Sequence, residues 1–105
     1  MGKRITDGAQ SKVCDAMIYL DGDNKYRVDR IIASHGTVIT WSATGFKAQE
    51  IVVFLPEPPE VVIRDPQPKH TVKKARGVYN YSIFVKDGGQ YYAVEGNSPP
   101  EMIIE

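Results

Sequence analysis

Between Gly77 and Val94 the chain has few ways to fold. Tyr79, Tyr81, Ile83 and Val85 recur at every second position, with Asn80 and Ser82 between them. That is the period of a pleated strand with one buried face, and a helix would scatter these residues around its circumference. Asp87-Gly88-Gly89-Gln90 follows, and glycines supply the positive φ that a two-residue hairpin turn requires. Tyr91 to Val94 reads as the return strand. A lone hairpin is marginal in water, so the other apolar runs are expected to cover it.

Those runs are short and separated by turn signals. Val13 to Leu20 predicts a strand with Cys14, Ala16, Ile18 and Leu20 on one face, closed by the turn Asp21-Gly22-Asp23-Asn24. Lys25 to Ile32 alternates, with Tyr26, Val28 and Ile32 inward and Lys25, Arg27 and Asp29 outward. Arg30 falls on the inward register, which predicts a strand end, a bend or a side chain reaching for the edge. Thr37 to Ser42 puts Ile39 and Trp41 on one face, and the unbroken apolar run Ile51 to Leu55 predicts a strand covered on both sides. Pro56-Glu57-Pro58-Pro59-Glu60 forbids a ladder and enforces an extended connector. Val61 to Ile63 reads as a short edge piece, Arg64 to Arg76 as a long polar loop, and Met102 to Ile104 as a terminal strand. No segment carries helical periodicity with caps. Seven or eight short strands joined by turns predict an all-β fold, a two-sheet antiparallel sandwich of immunoglobulin-like or cupredoxin-like type. The expected organisation is a polar arm over residues 1–12 and a single domain over residues 13–105.

Composition narrows the function classes. Thirteen basic and thirteen acidic residues cancel in a chain of 105, so any nucleic-acid or lipid attraction must come from a local patch. Cys14 is the only cysteine, which rules out an internal disulfide and a thiolate zinc cluster. His35 and His70 are far apart and lack a third ligand type, so neither a metal nor a cofactor is expected. The first twelve residues have no apolar stretch of the secretion type, and no run is long enough to cross a bilayer, so a cytoplasmic setting is expected. Met1-Gly2 with Thr6 matches a loose myristoylation template, and Asn80-Tyr81-Ser82 a glycosylation acceptor. The first reads better as a polar terminus, and the second falls within the central strand.

Two resemblances follow from these residues. Ile32 to Trp41 followed by Ile51 to Phe54 looks like the middle of a cupredoxin or immunoglobulin-like sandwich, and Gly77 to Tyr81 resembles the strand leading into the cupredoxin metal loop. A blue-copper site needs histidines and a thiolate from that loop. Here the loop has neither and Cys14 lies at the other end of the sequence, so only the scaffold part of the likeness is kept. The back half resembles the small bacterial DP-EP family in its Tyr-rich strand ending at Lys86, in Ser98-Pro99, and in the Ile-rich close Met102 to Glu105. That resemblance implies a sandwich linked to self-cleavage at an Asp-Pro bond just before the last strand, with Lys86 as the helping cation. The tract here runs Ser98-Pro99-Pro100-Glu101, without the aspartate. In such cleavage an aspartate attacks its own main-chain carbonyl through a five-membered ring and expels proline, with a nearby acid or cation assisting. Asp65-Pro66 is the one such dipeptide in the chain, and Glu57-Pro58 would need a larger, slower ring. The competing reading of both is a turn.

Two further groups of residues carry candidate function. Lys69, Lys73, Lys74 and Arg76 form the one basic cluster, a candidate anion or nucleic-acid contact. The zero net charge, the upstream Glu57, Glu60 and Asp65, and the lack of interleaved aromatics argue instead for a solvated loop. Tyr79, Tyr81, Tyr91 and Tyr92 are candidate interface residues, though the pleat must bury some of them. The leading expectation is a non-catalytic interaction module that associates with itself or a protein partner through a sheet edge or tyrosine patch, with the prolines and the loop to Arg76 shaping a recognition end. A self-processing peptidase using Asp65 and Lys86 stands second, and a phosphate or nucleic-acid contact third.

Overall fold

The computed structural model describes residues 12–95 and 99–105. The described residues contain eleven strands and no helix: β1 Val13–Leu20, β2 Tyr26–Val28, β3 Ile31–Ala33, β4 Val38–Ala43, β5 Glu50–Leu55, β6 Val61–Asp65, β7 Lys69–Thr71, β8 Gly77–Asn80, β9 Ser82–Asp87, β10 Gln90–Ala93 and β11 Glu101–Ile104. They pair as β2-β1-β4-β7, β10-β9-β5-β6 and β3-β11-β8. The all-β class is as expected, while the sheet count and strand directions are not. There are three sheets, and β1 with β4 and β11 with β3 run parallel.

The extra sheet arises because the chain changes sheets where one continuous strand was expected. Between β2 and β3 the alternation resets. Val28 and Ile31 are both buried, Asp29 and Arg30 are exposed between them, and Ile32, expected inward, is 54% exposed. Arg30 instead reaches the Glu101 carboxylate at 2.7 Å. The tyrosine strand divides at Tyr81: β8 pairs with β11, while β9 pairs with β5 and β10. The alternation survives the switch, so Tyr81, Ile83 and Val85 all point into the core, and the Tyr81 N–H donates to the Pro100 carbonyl at 3.1 Å.

The core gathers Ile18, Ile39, Trp41, Ile51, Val53, Ile83, Val85 and Ile104, all but fully buried. Trp41 donates its indole N–H to the Tyr81 hydroxyl at 3.3 Å, with the rings edge-on at 5.9 Å. Burying two large aromatics is permissible here because the indole N–H has found an acceptor. Burial also pushes the Tyr81 hydroxyl up to about 12. Within β5, Ile51, Val53 and Leu55 face the core, whereas Val52 and Phe54 face outward and are shielded as the inner strand of a sheet rather than by a further layer. Leu20 lies at a strand end and is exposed.

The hairpin is as the glycines require: Asp87 opposes Gln90, with Gly88 at φ 63° and Gly89 at φ 86°. The loop expected over residues 64–76 is partly strand. β6 extends to Asp65, and Lys69–Thr71 adds an edge to β4 opposite Val38, Ile39 and Thr40. Buried Pro68 and Val72 clamp this short strand, since the Pro68 carbonyl accepts the Trp41 N–H and the Val72 N–H donates to the Thr37 carbonyl.

Candidate recognition cleft

Clamping β7 between Pro68 and Val72 decides where the next residues go. His70 is delivered to one end of the sandwich, and the segment 73–76 crosses that end before β8 begins. The connector 56–60 leaves β5 at the same end. The two segments face each other across a cleft of about 320 Å³, lined by Glu57, Pro58, Pro59, Val61, His70, Lys73, Lys74, Ala75 and Tyr79. Beneath it a narrower apolar recess reaches Leu55, Val72, Tyr81 and Met102, so the cleft stands directly on the core.

Several bonds hold the walls. The Tyr79 hydroxyl donates to the Ala75 carbonyl at 2.7 Å and ties the ring to the loop above it. The Lys74 ammonium donates to the Glu57 carbonyl at 3.0 Å, spanning the cleft, and lies 5.6 Å from the centre of the Tyr79 ring. His70 is half-buried. Loss of water around the imidazole holds it below its ordinary value, and the Lys74 and Lys73 charges add to this. The site therefore combines two ammonium groups, an imidazole, an aromatic ring and a proline wall. No serine or cysteine lines it, and Glu57 is its one carboxylate. Among the described residues no group of three His, Cys, Asp or Glu comes together to hold a metal.

The structure divides the sequence-derived candidates. Tyr79 is in the cleft. Tyr81, a candidate for the interface, belongs to the core instead: it is 2% exposed and is used by Trp41. Tyr91 and Tyr92 sit on the edge strand β10, with Tyr91 on the outer face beside Lys86 and Tyr92 turned toward Tyr26 at 5.2 Å. Lys73 and Lys74 line the cleft, while Lys69 lies on β7 opposite Thr40 and Arg76 flanks a separate shallow groove with Val78 and Ile103.

Asp65 and Lys86 are not brought together. Asp65 stands opposite Ile51, on the core-facing side of the pleat, and Lys86 opposite Glu50, on the outer side. Residues opposite one another share a face, so the carboxylate and the ammonium point to opposite sides of the sheet. The Asp65 carboxylate accepts the Gln67 N–H at 2.9 Å, an arrangement typical of a turn. In the tract before the last strand, Pro99 is exposed and Pro100 buried with its carbonyl used by Tyr81, while Ser98 lies outside the described residues.

The prolines and the loop to Arg76 come together at one end, as the sequence suggested, whereas the meeting of His70 and Tyr79 with them was not legible. The missing link was β7, whose Lys-His-Thr has too few residues to show alternation. No family model, curated protein or solved structure matches the chain. No helix among the described residues is long and apolar enough to cross a membrane.

Proposed function

We propose that this protein is a non-catalytic β-sandwich interaction module that receives a partner at the proline-walled cleft. The observation that carries the reading is the convergence of Pro58, Pro59, His70, Lys73, Lys74 and Tyr79 on one concave surface standing on the core. Concave sites with an apolar wall and a few converging polar groups are the usual places of recognition. Filling the cleft tests it. An Ala75→Trp bait with unchanged melting behaviour is expected to lose a partner that the wild-type bait retains. Equal retention by both baits would sink the reading.

A second surface supports self-association. On the outer face of β10-β9-β5-β6, Ala93, Phe84 and Val52 lie in one cross-strand row, and Phe54 and Val62 in the next. Phe84 and Val62 are exposed, which leaves an apolar stripe bounded by Lys86, Glu50 and Arg64. Sedimentation of wild type and Phe84→Lys over a range of concentrations checks it, with self-association expected for wild type alone.

Kinship with the DP-EP proteins enters the proposal as a shared scaffold only. Self-cleavage is left out, because Lys86 and Asp65 face opposite sides of a sheet and no aspartate precedes Pro100. Intact mass followed over days at neutral and mildly acidic pH is expected to stay constant. A chain shortened at Asp65-Pro66 in wild type, and not in Lys86→Ala, would reinstate the peptidase reading. A cytoplasmic setting belongs to the same proposal, argued from the solitary Cys14.

A further inference from the structure

We infer that the cleft is selective for an anionic group, phosphate or carboxylate, carried on an aromatic body. The inference rests on the proposal that the cleft is the recognition site and adds the chemistry of what it recognises.

Charge is the first argument. Arg27, Arg30 and Arg64 each have a carboxylate partner, Asp21, Glu101 and Glu50 respectively. Among the described residues, Lys73 and Lys74 make no ion pair. Lys74 donates to a main-chain carbonyl of the opposite wall rather than to the Glu57 side chain. Two ammonium groups thus line the same space as a half-buried imidazole on which both act, with Glu57 as the one carboxylate there. An anion entering there would relieve repulsion that the fold leaves in place. It would also receive charge-assisted hydrogen bonds, which are stronger than neutral ones.

Shape and lining are the second. Tyr79 is fixed by its bond to Ala75, and Pro58 and Pro59 form a facing wall that contributes no N–H. A planar ring can lie against such surfaces without stranding a donor. At about 320 Å³ the cleft is at the small end of ligand sites, a size for one ring and its head group rather than a long chain.

Nuclear magnetic resonance on the full chain tests this by following the His70 imidazole and the Tyr79 ring. The probes are phenyl phosphate, inorganic phosphate and phenol. Phenyl phosphate is expected to shift both residues saturably and to raise the His70 titration midpoint. Glu57, Tyr79, Lys73 and Lys74 also face this space, so repeating the titration in Lys73→Ala/Lys74→Ala assigns the effect to the lysines. That double variant is expected to weaken phenyl phosphate about tenfold, the effect of losing roughly one charge-assisted hydrogen bond. Lys69→Ala, outside the cleft, is expected to change it less than about twofold. Inorganic phosphate should bind more weakly than phenyl phosphate, and phenol most weakly.

Phenol binding as well as phenyl phosphate would overturn the anion preference while leaving the cleft as the recognition site. Equal loss in Lys69→Ala and in the double variant would overturn it in favour of diffuse surface charge. If no probe moves His70 or Tyr79, the inference fails, and the Ala75→Trp bait decides separately whether the cleft reading fails with it.

Discussion

The two ends of the sandwich are served by the same strands and built in opposite ways. At the hairpin end, β5 starts and β9 finishes, and the loops close on one another. The Gly89 N–H donates to the Gln49 side chain at 2.8 Å, the Gln49 N–H donates to the Lys86 carbonyl, and the Tyr26 hydroxyl donates to Asp87 at 2.7 Å. The Tyr91 hydroxyl adds a hydrogen bond to the Glu50 carboxylate. At the proline end the connector 56–60 and the segment 73–76 stand apart, bridged by Lys74. The difference follows from donors. A loop made of ordinary residues carries an N–H at every position, and each must find an acceptor or water. Pro56, Pro58 and Pro59 carry none, so that wall can remain open without a polar cost. One end is closed by hydrogen bonds and the other stands open.

Substitutions at and between the ends should separate these roles. The largest effect is expected at Tyr81, where the two halves of the tyrosine strand join. Tyr81→Ala should lose about 3–5 kcal/mol in urea unfolding, the range for truncating a buried large aromatic. At the closed end, Gly88→Val should lose about 1–2 kcal/mol, because φ 63° is unfavourable for a branched residue even though an added Cβ meets nothing within 4 Å. Gly88→Asn should leave melting nearly unchanged, since asparagine suits this turn position. If both variants lose the same amount, backbone conformation is not the cause.

Alkaline titration probes the core and the closed end together. Burial raises Tyr81 from 10.0 to about 12, and burial followed by the Asp87 carboxylate raises Tyr26 to about 12. A raised acid stays protonated in the folded chain while the unfolded chain ionises. This contribution is complete below pH 10 and is lost between pH 10 and 12. Tyr81→Phe should flatten part of that decline, and an unaltered profile would remove Tyr81 as its source. The smallest effect on stability is expected at the open end. Lys73→Ala should change unfolding by less than about 0.5 kcal/mol, as is usual for an exposed side chain. A larger loss would mean that the cleft is a strut and not a binding surface.

Much of the fold could be read from local pattern. Gly88 and Gly89 specified their turn, Trp41 and Ile39 their burial, and the alternation from Tyr79 to Val85 its inward face. What local pattern could not show was which sheet each strand joins. Ile83 continues the alternation of Tyr79 and Tyr81, yet Tyr79 and Ile83 belong to different sheets because their backbones find different neighbours on either side of Tyr81. Ile32 was misplaced for a related reason: two exposed residues, Asp29 and Arg30, reset a period that had looked continuous. The parallel pairings of β1 with β4 and of β11 with β3 depend on segments distant in sequence, which no local periodicity records. Of the cleft, the pairing of the prolines with the loop to Arg76 was legible, and the arrival of His70 and Tyr79 beside them was not.

The place of β11 bears on how the protein is made. It lies between β3 and β8, and its Met102 and Ile104 are buried, so this layer cannot assemble until residues 101–104 have left the ribosome. Until then the nascent chain presents two strands that lack their shared neighbour, the kind of edge that invites wrong pairing or attracts chaperones. A ribosome-bound chain whose emerged part stops at residue 95 is accordingly expected to be cut readily by protease, and to become resistant once residues 101–104 have emerged. Closure of the domain therefore waits on β11.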